Sequence, residues 1–129
     1  MTESMHTILI VDDEIFIRQS FCDYFEDQLW RTILAESGEQ ALEILEQESP
    51  DAAVVDIRMG GMDGDAFILK AHKIKPEMAF VICTGSPEYY IPDALREVST
   101  VSRQLFKKPL TDLSRLEEEL LRLIAAPLE

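Results

Sequence analysis

Ala52-Ala53-Val54-Val55-Asp56-Ile57, continued by Arg58-Met59-Gly60-Gly61-Met62-Asp63-Gly64, is the stretch that decides the fold. A run of small and β-branched apolar residues, bounded by a glycine-rich turn, reads as a strand buried on both faces. Such strands belong to parallel sheets covered by helices on each side. Asp56 closes the run, where the chain leaves the core. In open parallel α/β sheets ligands bind outside that carboxyl end. A carboxylate placed there is a candidate functional group.

Outward from this stretch, apolar runs of strand length alternate with segments of helical period. Residues 8–11 (Ile-Leu-Ile-Val) repeat the buried-strand pattern and end in Asp12 and Asp13. Residues 14–28 carry Ile17, Phe21, Tyr24 and Phe25, the i, i+4, i+7, i+8 stripe of a helix laid on a sheet. Residues 32–35 predict a short second strand. Ser37-Gly38-Glu39-Gln40 has the spacing of a capping box, with Gln40 reaching back, and opens a helix with Ala41, Ile44 and Leu45 on one face. After the third strand, residues 52–56, Asp63 is the expected cap of a helix with Phe67, Ala71 and Ile74 inward. That helix runs to about Lys75 and is stopped by Pro76.

Residues 79–84 form the fourth strand, ending in Thr84. Ser86-Pro87 predicts a cap and first helical position, opening a weaker helix, interrupted by Pro92, to about Val98. Residues 104–107 predict a short fifth strand, followed by Lys108. Leu113, Leu116, Leu120, Leu123 and Ile124 give the last helix its apolar stripe. Five alternations of strand and helix imply right-handed crossovers with helices on both faces. The most apolar strands, the first, third and fourth, belong at the centre, and the second and fifth at the edges. The expected order is 2-1-3-4-5, with the switch point between strands one and three. Asp12, Asp13 and Asp56 then meet at one rim, with Thr84 and Lys108 beside them.

The chain of 129 residues suits one domain, and 47% apolar residues are enough for a core. A net charge of −13, from 25 acidic and 12 basic residues, excludes the basic footprint of a nucleic-acid binder. It suits a cation site or partners with basic patches. Cys22 and Cys83 lack metal-like spacing and read as buried thiols of a reducing compartment. No run reaches the roughly 18 apolar residues of a membrane span, and the first residues lack the features of a secretion signal, so a cytoplasmic location is expected. Residues 1–6 are expected to be a disordered segment, 7–125 the domain, and 126–129 a tail, truncated or carried over from cloning.

Carboxylates crowded together repel one another and require raised pKa values or a cation. An all-oxygen site of two or three carboxylates suits Mg²⁺, or Mn²⁺. Three aspartates are balanced by one divalent ion and Lys108. Turning one carboxylate into an acyl phosphate adds roughly one further negative charge, which the same cations can absorb. An acceptor carboxylate, a metal, a lysine and a hydroxyl suffice for phosphoryl transfer, which is largely positioning and charge neutralisation.

Ile8-Leu9-Ile10-Val11-Asp12-Asp13-Glu14, Val55-Asp56-Ile57-Arg58-Met59, Gly61-Met62-Asp63-Gly64, Cys83-Thr84-Gly85 and Lys107-Lys108-Pro109 together resemble the receiver domain of two-component response regulators. The resemblance covers about residues 6–125. It implies a flavodoxin-like (βα)5 doubly wound sandwich around a five-stranded parallel sheet. It implies a phosphorylatable signalling switch rather than a turnover enzyme, with Asp56 taking a phosphoryl group from a phosphohistidine on a sensor histidine kinase or phosphotransfer protein. Asp13, Asp56 and the backbone carbonyl of Arg58 would ligate Mg²⁺, Asp12 acting largely through water. Lys108 would pair with the phosphoryl oxygens, Thr84 would donate a hydrogen bond to them, and Lys108-Pro109 would be cis. The downstream element would be another protein or an output domain, and self-association would use the face of the fourth helix, fifth strand and fifth helix.

The chain departs from the family at three points. Gly60 stands where proline is common, which should loosen the loop after Asp56. Leu105, with Phe106 next to it, occupies the position of the usual aromatic switch. Val101-Ser102-Arg103 replaces the usual Gly-Ala. Arg58 and Ser86 stand two residues past Asp56 and Thr84; the resemblance implies that these positions flank the path of the attacking water, so a long, cationic Arg58 over the site is expected to alter the lifetime of the acyl phosphate, the alternative being a solvent-facing arginine. His72 reads as a solvated helix histidine, Lys107 as a solvated loop lysine, and Tyr89 and Tyr90 as helix packing or a partner surface. Three other readings compete. A Mg²⁺-dependent phosphatase with a strand-one nucleophile wants Asp-x-Asp, which Asp12-Asp13-Glu14 does not supply. A flavin domain wants a hydroxyl- and glycine-rich phosphate loop, where Asp13-Glu14-Ile15 is acidic. A receiver-like docking module with weak or no phosphorylation-dependent output is kept open by Leu105.

Overall fold

The computed structural model describes residues 5–126. Of the expected terminal segments, residues 1–4 and 127–129 lie outside the described residues. The elements run β1 (Thr7–Val11), α1 (Ile15–Asp27), β2 (Arg31–Ala35), α2 (Gly38–Leu45), β3 (Ala52–Val55), α3 (Gly64–Ile74), β4 (Ala79–Thr84), α4 (Asp93–Arg96), β5 (Val101–Lys107) and α5 (Ser114–Ala125). All strand pairs are parallel, in the order β2-β1-β3-β4-β5. This is the flavodoxin-like, doubly wound arrangement. Right-handed crossovers dictate the layers. The step from β1 to β2 runs one way and all later steps run the other, so α1 lies on the opposite face from α2, α3 and α4, and α5 returns to the α1 side.

The two cores follow from the alternation of side chains along each strand. Leu9, Val11, Ala53, Val55, Phe80 and Ile82 face α2 and α3, meeting Leu45, Phe67, Ile68 and Ala71. Ile8, Ile10, Val54, Val81 and Cys83 face α1 and α5, meeting Phe21, Phe25, Leu116 and Leu120. Both cysteines are free and buried on this second side. The Glu117 carboxylate fastens the α1–α5 side by accepting hydrogen bonds from the Tyr24 hydroxyl at 2.7 Å and the Trp30 indole N–H at 2.9 Å. Among the described residues, no helix is long and apolar enough to cross a membrane.

The local signals at α2 and α3 hold. Ser37 Oγ accepts from the Gln40 N–H at 3.0 Å, while the Gln40 side chain reaches back one residue further than in a standard box, to the Glu36 N–H at 2.7 Å. Asp63 caps α3 through the Ala66 N–H at 2.9 Å.

Three expectations are corrected. Ile74, in the last turn of α3, does not face inward: it is 47% exposed, and the buried face of the helix is Phe67, Ile68 and Ala71. The helix expected from Ser86 does not form there; α4 is the single turn Asp93–Arg96, entered through Pro92. The Ser86 hydroxyl is drawn to the Arg58 guanidinium at 3.1 Å and so caps nothing. The fifth strand is not short. It spans seven residues, Val101–Lys107, and its polar first half hid it. Phe80 pairs with Val101 and Ile82 with Leu105, so extra residues bulge out between them, held by the Ser102 hydroxyl accepting from the Gln104 N–H at 3.0 Å.

Candidate functional site

Register brings the site together. Val11 pairs with Val55, and the Asp56 N–H donates to the Val11 carbonyl at 2.9 Å, so Asp12 and Asp56 leave the sheet side by side at the switch point. On the other flank Thr84 pairs with Lys107, and the Lys108 N–H donates to the Thr84 carbonyl at 2.9 Å. Lys108 therefore emerges with two strands, β3 and β4, between it and Asp12, and its flexible stem spans the gap. The Lys108-Pro109 peptide is cis.

The Lys108 ammonium lies 2.8 Å from Asp12 Oδ2, 3.6 Å from Asp56 Oδ1 and 3.3 Å from Glu14 Oε2. Asp12 and Asp56 are 2% and 4% exposed, whereas Asp13 and Glu14 stand in solvent. One carboxylate oxygen from each of Asp12, Asp13, Glu14 and Asp56 can be chosen so that all four lie within 4.8 Å of one another. Burial pushes the Asp56 carboxyl up to about 6, helped by the neighbouring negative charge of Asp12, and only partly opposed by Lys108 and the Arg58 N–H. Burial works against the Lys108 ammonium too, but the hydrogen bond to Asp12 and the charges of Asp12, Asp56 and Glu14 outweigh it and hold the ammonium above the ordinary lysine value.

The surroundings fix these groups. Asp12 Oδ1 accepts from the Glu14 N–H at 2.9 Å, and the Asp12 carbonyl accepts from the Arg18 guanidinium at 2.8 Å. Gly64 opens α3 directly against the Asp56–Ile57 backbone: a Cβ there would press into the Asp56 carbonyl and sit 2.9 Å from Ile57 Cα. Glycine is required because α3 packs on the phosphoacceptor candidate's own peptide. The loop between them is less loose than Gly60 suggests. Gly61 takes φ +77°, and the Glu39 carboxylate on α2 accepts from the Met62 N–H at 3.1 Å.

Thr84 is fully buried, and its hydroxyl accepts from the Ser86 N–H at 3.1 Å. Arg58 is exposed and its guanidinium donates to Ser86 Oγ, so the two flanking residues meet across a cavity lined also by Glu14, Asp56, Gly85 and Lys108. Leu105 packs half-buried on the α4 side, while Phe106 turns to the α1–α5 core, so the adjacent aromatic does not take over the switch position. Tyr89 donates to Asp65 at 2.7 Å and Tyr90 is 78% exposed. His72 is half-buried rather than solvated. Glu14, Arg18 and Gly64 carried no distinct sequence signal as site residues. An acidic residue after Asp12-Asp13, an arginine one turn later and a glycine after a cap are each common, and only the approach of separate elements gives them roles.

A family model described as "Response regulator receiver domain" matches residues 8–120. Sporulation initiation phosphotransferase F of Bacillus subtilis (strain 168) is 31% identical over 102 residues, which cover 79% of this chain and 81% of that protein. Protein-glutamate methylesterase/protein-glutamine glutaminase 3 of Shewanella oneidensis is 32% identical over 125 residues, 95% of this chain, of which the chain spans about a third (35%). The crystal structure of a CheY-like response regulator receiver domain protein from Methanospirillum hungatei JF-1 matches with a TM-score of 0.78 at 27% identity, covering 93% of this chain and 97% of that one. With the doubly wound sheet, the acidic rim at its switch point and this match over most of its length, the chain belongs to the response regulator receiver domain family, whose members are signalling switches of two-component systems.

Proposed function

We propose that Asp56 is the phosphoacceptor of this domain, taking a phosphoryl group from a phosphohistidine on a sensor histidine kinase or phosphotransfer protein in the cytoplasm, within a receiver unit of about residues 7–125. An Asp56 carboxylate oxygen attacks phosphorus, the P–N bond breaks, and its electron pair returns to the imidazole nitrogen. The donor set fits a small hard cation: the oxygens of Asp12, Asp13 and Asp56, with the Arg58 carbonyl beside them, would hold Mg²⁺, or Mn²⁺. When bound, that ion neutralises charge on the phosphoryl oxygens. Lys108 pairs with the same oxygens, and the Thr84 hydroxyl donates to them. Asp12 keeps Lys108 oriented and charged.

The observation that carries this reading is one ammonium held 2.8 Å from Asp12 and 3.6 Å from a buried Asp56 raised to about 6. Asp12, Glu14 and Asp56 share the Lys108 ammonium and Asp13 adds a fourth negative charge, a deficit of positive charge that a divalent ion would fill. The test is incubation with acetyl phosphate and Mg²⁺, then intact mass. The wild type should gain one phosphoryl group and Asp56→Asn none; a wild type that stays unmodified, or an Asn variant that still gains it, overturns the reading.

The downstream element is a protein partner or an output domain, and a homodimer would use the α4–β5–α5 face. A second reading, a docking module with little phosphorylation-dependent output, is favoured by Leu105 and by the burial of Phe106 on the opposite side of the sheet. It predicts equal partner affinity before and after phosphorylation.

A further inference from the structure

Lys107 is the last residue of β5 and pairs in register with Thr84. Its sequence setting, between Phe106 and Lys108, gives it no evident task. In the fold its ammonium donates to two backbone carbonyls, those of Ser86 and Pro87, at 3.3 Å each. These carbonyls belong to a segment with few partners of its own. The helix expected from Ser86 is absent, α4 starts only at Asp93, and Pro87 contributes no N–H.

Ser86 is nevertheless buried, and each of its polar groups is engaged. Its N–H donates to Thr84 Oγ1 at 3.1 Å. Its hydroxyl accepts from Arg58 at 3.1 Å. Its carbonyl accepts from Lys107 and, at 3.4 Å, from the Tyr89 N–H. A hydroxyl has one proton to give and two lone pairs to receive. With one lone pair of Thr84 occupied by the Ser86 N–H, the oxygen is held in place and its proton stays free to be donated to another acceptor.

We propose that Lys107 is a positioning residue for the site: by clasping the Ser86 and Pro87 carbonyls it fixes the Ser86 N–H, which in turn fixes the Thr84 hydroxyl. This rests on the phosphoacceptor reading for its rate consequence, but not for the clasp itself. An unclasped loop lets the Ser86 N–H wander, and threonine then samples its other rotamers. The ammonium suits the task because it offers three donors on a flexible stem. An arginine, also a multiple donor, can replace it, and a methionine of similar length cannot.

Three proteins decide the matter: wild type, Lys107→Met and Lys107→Arg, each read in two ways. Amide hydrogen exchange of Ser86, followed by NMR on the unphosphorylated protein, should be about tenfold faster in the Met variant and restored in the Arg variant. The rate of phosphoryl uptake from acetyl phosphate should fall about fivefold in the Met variant, consistent with the loss of weak hydrogen bonds, and recover with Arg. The fall should persist at about 0.5 M salt, where a mere change in the field of an exposed charge is screened. An unchanged Ser86 amide in Lys107→Met overturns the clasp. A rate loss that Arg does not restore, or that vanishes in salt, overturns the positioning role. A wild type that takes up no phosphoryl group overturns the phosphoacceptor reading instead, and the amide measurement still judges the clasp.

Discussion

Replacing Asp56 by asparagine should make the metal-free protein more stable at pH 8, although it abolishes phosphorylation. Asp56 is 4% exposed and its carboxyl is raised from 3.8 to about 6, chiefly by burial and then by Asp12. At pH 8 it is ionised in both folded and unfolded chains, and the folded state bears the cost of the buried charge. A displacement of roughly two pH units, already net of the attraction to Lys108, corresponds to about 3 kcal/mol, which is the most that asparagine should recover. For a group raised on folding, the contribution to stability is fully present below the unfolded value and is lost as pH rises through the folded value. The wild type should therefore gain stability as pH falls from about 7 toward 4, and the advantage of asparagine should shrink over that window. Urea unfolding with a chelator at pH 8, 6.5 and 5 measures this, and millimolar Mg²⁺ at pH 8 should narrow the gap. An asparagine variant less stable than wild type at pH 8, or equally advantaged at pH 5, refutes the electrostatic account.

Lys108→Ala should cost the metal-free protein about 3 kcal/mol at pH 8, because Asp12, 2.8 Å from the ammonium and 2% exposed, is left uncompensated; adding Mg²⁺ should restore much of the loss in thermal melts. Gly64→Ala should cost about 2 kcal/mol in urea unfolding and slow phosphoryl uptake, since its Cβ would meet the Asp56 carbonyl and Ile57 Cα and push α3 off the acceptor strand. Arg58→Ala, which removes the bridge to Ser86 across the cavity over Asp56, should shorten the half-life of the phosphorylated form roughly fivefold, read by loss of the added mass with time. An unchanged half-life would reduce Arg58 to a surface arginine.

Several features depend on residues close in sequence, and the sequence alone determined them. A strand buried on both faces must be uniformly apolar, so Ile8-Leu9-Ile10-Val11 and Ala52-Ala53-Val54-Val55 declare themselves, and the acids that end them mark the rim. Ser37 and Asp63 are legible because a cap and its N–H lie three residues apart. The order of strands follows from apolarity and crossover handedness, and the gathering of Asp12, Asp13 and Asp56 follows from the order. The tertiary structure decided whatever depends on atoms distant in sequence meeting within about 3 Å. Ser86 looked like a cap until Arg58 claimed its hydroxyl. Residues 101–104 looked like loop because the bulge breaks the strand alternation: Val101 and Ser102 are both buried and Arg103 and Gln104 both exposed, which leaves no period to read. Lys108 pairs most closely with Asp12 rather than with Asp56, and Lys107 reaches two carbonyls, because register sets where each side chain starts and side-chain length sets how far it reaches.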